Sequence, residues 1–169
     1  MEKNKYEIEK KYLIKKLPAL NNLKKYKIIQ AYISIEPVLR IRQKNDKFFF
    51  TFKGKGFLKR VEFEQEITKN EFENLLKKTE GNIIEKNRYI YPLENGLFAE
   101  IDIFAKPFED ISIVEVEFKT EEQAQNFTPP DWFGQDITNN VKFTNSYLSN
   151  VVKLNKFKKN TWFFYVYIL

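Results

Sequence analysis

Charged and apolar residues alternate one for one along most of this chain, the two-residue period of strands with one buried face. Glu7, Glu9 and Lys11 share one face of the first such stretch, and Tyr6, Ile8 and Tyr12 share the other. Ile29 to Ile35 reads as a second strand, carrying Tyr32. In Val38 to Arg42, Arg40 and Arg42 stand opposite Leu39 and Ile41. An Asn45-Asp46 turn leads into Lys47 to Lys53, with Phe49, Thr51 and Lys53 on the arginine side. Arg60, Glu62, Glu64 and Glu66 line one face of the stretch from Arg60 to Ile67, and Val61, Phe63 and Ile67 occupy the other. Lys86 and Arg88 are in step within Ile83 to Tyr91, which Glu94-Asn95-Gly96 turns into Leu97 to Phe104 with Glu100 and Asp102 in step. Ile111 to Phe118 then carries Glu115 and Glu117 on one face.

Helical spacing is confined to short segments. Leu17, Leu20 and Leu23 around Pro18 read as a short helix or a pair of turns. Thr68 with Glu71 forms a capping box for a helix whose stripe is Phe72, Leu75 and Leu76 and whose end is expected at Gly81. Thr120 with Gln123 caps a second helix carrying Ala124 and Phe127, and Pro129 to Gly134 reads as a packed loop around Trp132. From Thr144, the residues Tyr147, Leu148, Val151 and Val152 give a final amphipathic helix. Thr161 to Leu169 is an aromatic and aliphatic run too short to span a bilayer, expected as a terminal strand or tail.

The charges segregate by strand. Acid and base meet on the first, bases stand at Arg40, Arg42 and Lys53, acids at Glu62 and Glu64, bases at Lys86 and Arg88, and acids at Asp102, Glu115 and Glu117. A merely solvated sheet would mix Lys, Thr, Ser and Gln without such order. The pattern predicts an α+β chain, mainly antiparallel β: an eight-stranded closed barrel with a charged lumen and surrounding helices. An outer-membrane barrel has the same parity, but its strands are not interrupted by amphipathic helices.

Composition narrows the chemistry. The 169 residues suit one domain, expected over residues 1–155, with residues 156–169 as the aromatic tail. Cysteine and histidine are both absent, which excludes thiolate and imidazole metal sites, disulfides and Ser-His triads. Any metal must then be a hard ion held by oxygen. Met1 to Tyr6 is polar and lacks the apolar core of a signal peptide, so a cytoplasmic location is expected. A net charge of +6 points to an anionic partner. Unpaired buried charge costs several kcal/mol or more per ion, so a lumen holding both signs calls for an occupant that neutralises them. A phosphate chain with a divalent ion meets both needs: carboxylates hold Mg²⁺ or Mn²⁺, and the Arg and Lys rows hold phosphate oxygens.

These residues resemble the CYTH, or triphosphate tunnel metalloenzyme, family. Glu7-x-Glu9-x-Lys11 matches its ExExK signature. In family order follow Tyr32, Arg40-x-Arg42, Thr51-x-Lys53, Arg60-x-Glu62-x-Glu64, Glu85-Lys86-x-Arg88-Tyr89, Glu100-x-Asp102, Glu115-x-Glu117, and Trp132-Phe133-Gly134 with Thr138. The likeness spans Glu7 to about Leu148 and implies metal-dependent hydrolysis of a triphosphate in a barrel tunnel. By it, Glu7, Glu9, Asp102, Glu115 and Glu117 match metal-binding carboxylates, with Glu62 and Glu64 holding a second metal or orienting water. Lys11, Arg40, Arg42, Lys53, Lys86 and Arg88 match phosphate-binding cations, with Arg60 and Lys142 as further substrate contacts. Lys142 stands where relatives usually carry arginine, and Phe143 where many carry tyrosine. Lys11, Tyr32, Arg42 and Lys53 are the catalytic candidates, Tyr32 matching a tyrosine proposed as proton acceptor. The substrate expected first is inorganic tripolyphosphate; thiamine triphosphate, and ATP cyclised to cyclic AMP and pyrophosphate, are the alternatives. A non-catalytic polyphosphate-binding module is a further reading. A nucleic-acid partner and a membrane are not expected; a homodimer is compatible with the family, with the aromatic end contributing to its interface.

Overall fold

The computed structural model describes residues 6–151. Its strands are β1 (Tyr6–Ile14), β2 (Lys24–Ile35), β3 (Val38–Lys44), β4 (Lys47–Lys53), β5 (Lys59–Ile67), β6 (Glu80–Pro92), β7 (Phe98–Phe104), β8 (Ser112–Glu117) and β9 (Phe133–Asp136). Three helices accompany them: α1 (Lys69–Leu76) and α2 (Glu121–Gln125) between strands, and α3 (Asn145–Asn150) after the last. The strands pair antiparallel in the order β5-β4-β3-β2-β6-β7-β8-β1, and β1 returns to β5 through Tyr6 opposite Val61, Glu7 opposite Arg60 and Ile8 opposite Lys59. Eight strands thus close into the expected barrel.

The closure is shared. β5 covers only the first part of the β1 edge, and β9 takes up the rest, with Tyr12 opposite Asp136 and Ile14 opposite Phe133. Between them, Lys11 N–H donates to Thr138 Oγ1 at 3.1 Å, and Ile137 N–H donates to the Lys11 carbonyl at 2.8 Å. Part of the expected Pro129 to Gly134 loop is therefore strand. Gly134 permits the approach, since a Cβ there would sit 3.1 Å from the Leu13 carbonyl oxygen.

Apolar side chains on the outer wall are covered by the connections. Ile8, Tyr12, Ile101, Val114 and Val116 pack beneath Ala124 of α2 and the aromatic segment that follows it. There Tyr12 and Phe133 meet edge-on at 5.0 Å, and Phe118 and Phe127 at 5.2 Å. On the other side Ala31 and Ile41 pack beneath Phe72 of α1. Thr68 and Glu71 form the expected capping box of α1. Among the described residues, no helix is long and apolar enough to cross a membrane.

A third core lies within the barrel at one end. Ile84, Phe104 and Ile113 have the same strand parity as the charged residues Lys86, Asp102 and Glu115, and they pack with Ile137, Phe143 and Leu148. The charged section therefore rests on an apolar plug supplied in part by the chain's last described elements.

Several boundaries differ from expectation. Residues 15–23 hold no helix but a turn at Asn21 and Asn22, the other expected form; β2 begins at Lys24, because alternation through Tyr26 and Ile28 extends the strand, while Pro18 lacks the N–H a helix would use. α1 ends at Leu76, and Gly81 lies inside β6 with φ of +77°. A Cβ at Gly81 would meet the Ser149 carbonyl oxygen at 2.4 Å, so this glycine lets α3 lie against β6. α3 is only six residues long; Tyr147 is exposed, and Val151 stands beyond its end as the cap. Val152 and the aromatic run from Thr161 to Leu169 lie outside the described residues.

Candidate active site

Alternation brings side chains from seven of the eight barrel strands, all but β7, to one cavity of about 1260 Å³. Seven cations line it, Lys11, Arg40, Arg42, Lys53, Arg60, Lys86 and Arg88, together with six carboxylates, Glu7, Glu9, Glu62, Glu64, Glu115 and Glu117. Tyr32 lines it too. The structure therefore brings together all the expected site residues except Asp102 and Lys142.

The β1 charges join the two sides of the lumen. Lys11 Nζ lies 2.8 Å from Glu115 Oε1 and 3.1 Å from Glu9 Oε1. The same Glu9 oxygen accepts from Arg60 Nη2 at 2.9 Å, and Arg60 Nε donates to Glu7 at 2.9 Å. Burial alone would lower the Lys11 pKa, but Glu115 and Glu9 outweigh it and hold the ammonium above its ordinary value. Glu7 behaves in the opposite sense: burial opposes its ionisation, yet Lys53 and Arg60 hold its carboxyl well below the usual range.

On β6, β7 and β8 the network is closed. Arg88 Nε donates to Asp102 Oδ1 at 2.7 Å, and Arg88 Nη2 donates to Asp102 Oδ2 and Glu115 Oε2 at 2.6 Å each. Its Nη1 pairs with Glu100, and Lys86 pairs with Asp102. Asp102 is 1% exposed and lies outside the residues lining the cavity, its oxygens taken by Lys86 and Arg88. It stands behind the lining cations Lys86 and Arg88 instead of in the lumen.

On β3, β4 and β5 the network is looser. Arg42 Nη2 donates to Glu64 at 2.6 Å, and Arg40 Nη2 donates to Thr51 Oγ1 at 3.2 Å while standing 3.7 Å from Glu64. Lys53 Nζ contacts Glu7 at 2.7 Å and Glu62 at 3.3 Å. The Nε atoms of Arg40 and Arg42 are buried and have no hydrogen-bond partner among the described residues. Burial and the adjacent Arg40 lower the pKa of both Arg42 and Lys53. Glu62 is shifted up, by burial and by Glu7, against the pull of Lys53 and Arg40.

Glu117 differs from the other lumen carboxylates in having no cation within ion-pair distance among the described residues. Burial and the surrounding Glu100, Glu7 and Glu9 carboxylates push its pKa up to about 7. That surplus of negative potential, made entirely of hard oxygen donors, fits a divalent cation of the Mg²⁺ or Mn²⁺ type. As they stand, no three carboxylates among the described residues converge as a ready metal cluster, since most are turned toward cations.

Lys142 is exposed on a 3-10 turn (Val141–Phe143) and is not among the lining residues. Thr144, Asn145 and Ser146 occupy that end of the lumen instead. Gln30 and Asn145 are among the lining residues that escaped the sequence reading. Gln30 is 1% exposed and donates through Nε2 to the Tyr32 hydroxyl at 2.9 Å; its parity with Tyr32 was the available signal. Asn145, whose Oδ1 is buried without a partner among the described residues, sits on a short helix where no two-residue period exists to reveal it.

The arrangement resembles that of known proteins. The CYTH domain model matches residues 5–136. An inorganic triphosphatase of Nitrosomonas europaea is 39% identical over 148 residues, covering 85% of this chain and 96% of its own. One from Acetivibrio thermocellus is 34% identical over 151 residues, covering 87% and 93%. A crystal structure of an inorganic triphosphatase superposes with a TM-score of 0.65 at 35% identity, covering 86% of this chain and 95% of that one. This chain, with its closed barrel and charged lumen, belongs to the CYTH domain family.

Proposed function

We propose that this protein is a metal-dependent triphosphatase that hydrolyses inorganic tripolyphosphate to pyrophosphate and phosphate within the barrel. The observation that carries this reading is the arginine pair on β3, each with a buried Nε that has no partner among the described residues, beside Lys53 in a lumen lined by seven cations and six carboxylates. Guanidinium donors suit phosphate oxygens in both charge and planar geometry. The names of the two bacterial relatives support the same substrate.

In this reading Arg40, Arg42 and Lys53 hold the oxygens of the transferring and leaving phosphoryl groups, and Lys86 and Arg88 extend the row. Lys11 and Arg60 are anchored by Glu9, Glu115 and Glu7, so their charge is fixed in place before substrate arrives. Such preorganised positive charge lowers the barrier because nothing has to reorient as negative charge shifts to the leaving oxygen. Glu117, with Glu7 and Glu9, would hold Mg²⁺ or Mn²⁺, which when bound neutralises phosphate oxygens and lowers the pKa of water. Glu62 and Glu64 face the phosphate-binding cations Arg40, Arg42 and Lys53 and orient the water that attacks in line. Asp102 serves this site by fixing Lys86 and Arg88. Tyr32 is not suited to be the base: burial pushes its phenol up despite nearby Arg40, Lys11 and Arg60, and it keeps its proton at neutral pH.

The test is release of inorganic phosphate from tripolyphosphate, thiamine triphosphate and ATP in parallel, with Mg²⁺, with Mn²⁺ and with chelator. Metal-dependent release that is fastest from tripolyphosphate is expected. Conversion of ATP to cyclic AMP and pyrophosphate would replace this reading with a cyclase. Binding of tripolyphosphate without turnover under any metal would replace it with a binding module.

A further inference from the structure

Tyr32 and Gln30 face the lumen from the same side of β2, opposite Arg40 and Arg42 respectively on β3. Both are nearly fully buried, at 4% and 1% exposed. Gln30 Nε2 donates to the Tyr32 oxygen at 2.9 Å, so one lone-pair direction of the phenol is already taken by a donor. A phenol proton prefers the ring plane and has two such positions. It cannot point at the amide nitrogen that is donating to its own oxygen.

The other groups acting on this phenol are cations and offer no acceptor: Arg40 hydrogen-bonds to it as a second donor, and Lys11 and Arg60 lie nearby. Among the described residues, no hydrogen bond from the Tyr32 hydroxyl to an acceptor is formed. A buried O–H of this kind is costly to leave unmade, and here it borders a cavity built to hold phosphate oxygens. An oxyanion is the acceptor that the site's own chemistry supplies.

We propose that Gln30 is a positioning residue whose amide turns the Tyr32 hydroxyl into a fixed hydrogen-bond donor to a phosphate oxygen of the substrate. This rests on the triphosphatase reading above and adds a role to it: Tyr32 gives a hydrogen bond and keeps its proton, and Gln30 acts only through Tyr32. The arrangement resembles one donor of an oxyanion hole, in which the gain comes from the donor being aimed before charge develops. A side chain of the same length without the amide removes one of the two donors that fix the phenol, so its proton can turn into the vacated direction and that preorganisation is weakened.

The experiment is a double-mutant cycle on the full chain, with tripolyphosphate and saturating metal, using Tyr32→Phe, Gln30→Met and the pair. Tyr32→Phe should lower kcat roughly ten- to a hundredfold, the usual range for a hydrogen bond to a charged group. Gln30→Met should lower kcat about threefold to tenfold with KM changed less than twofold. In the Tyr32→Phe background, Gln30→Met should change kcat less than twofold, because the group it positions is gone. Additive losses, or a Gln30→Met effect on KM alone, overturn the proposal. If the methionine variant does not fold, Gln30→Leu takes its place in the cycle with the same expectations. A wild-type protein that releases no phosphate overturns the triphosphatase reading itself, whereas turnover with an additive cycle overturns only the role of Gln30.

Discussion

Arg88 and Arg42 face the same lumen from strands on its two flanks, and their surroundings could hardly differ more. Every guanidinium nitrogen of Arg88 is engaged by Asp102, Glu100 or Glu115, and although burial would lower its pKa, those three carboxylates hold it well above the ordinary value. Arg42 has one short contact to Glu64, a buried Nε without a partner among the described residues, and a pKa lowered by burial and by Arg40. The β6–β8 flank is thus a finished ionic scaffold. The β3–β4 flank carries positive charge in surplus of its local partners. An unsatisfied buried donor costs about 1–3 kcal/mol, so the second flank is held in a state that an anion would relieve.

The largest effect should come from breaking the scaffold. Asp102→Asn keeps the shape but leaves Lys86 and Arg88 short of a buried countercharge, at a cost of about 3–5 kcal/mol. At roughly 2–4 °C per kcal/mol for a domain of this size, Tm should fall by roughly 10 °C or more. A Tm within about 2 °C of the wild type would show that Asp102 is not structural and is available to a metal. Arg42→Ala should do the reverse. It removes a charge that its neighbours crowd, so Tm should move by less than about 3 °C, while kcat/KM for tripolyphosphate falls by about a hundredfold or more. Arg42→Lys should recover little of that, because an ammonium cannot reproduce the planar fork. If Arg42→Ala unfolds the protein, or turns over normally, the division between the two flanks fails.

The distinction between the flanks lies below what the sequence displays. Arg88 and Arg42 both sit two residues from another base on alternating strands, and strand parity alone places both in a lumen. That parity was enough to define the barrel, because charges inside and apolar side chains outside leave the period of two intact through the charged section of the strands. It does not report depth. Asp102 and Glu117 have the same kind of acid-x-acid surroundings, yet Arg88 lies across the ladder from Asp102, while Glu117 lies across from Glu9. The first is matched by opposite charge, the second by like charge. Closure was hidden for a related reason: β9 is four residues long, follows two prolines and contains Gly134, features that read locally as a loop and become strand only against β1. Lys142 was assigned by the resemblance alone, and on a 3-10 turn there is no alternation by which the sequence could have checked which way it faces.

Glu117 sharpens the comparison with the smallest expected effect, and its sign is specific. Its folded pKa of about 7 lies above the ordinary 4.5, so the folded protein holds this proton more tightly than the unfolded chain. Ionising Glu117 therefore costs stability above pH 7, whereas below about pH 4.5 the group is neutral in both states and costs nothing. Glu117→Gln removes that cost. In chelator, it should raise Tm at pH 8 and leave Tm unchanged at pH 4. Because the side chain sits at the exposed rim, solvent screening reduces the gain to about 1 kcal/mol or less, or roughly 2–4 °C. Adding Mg²⁺ at pH 8 should stabilise the wild type more than the variant, since a ligand that binds only the folded state adds stability in proportion to its affinity. Equal melting at pH 8 in chelator would mean that the carboxylates around Glu117 do not crowd it. Equal stabilisation by Mg²⁺ would mean that the ion, wherever it binds, does not use this flank. The opposite responses at pH 8, with chelator and with metal, would mark Glu117 as the counterpart of the arginines on β3: a charge tolerated in the folded protein because a ligand completes it.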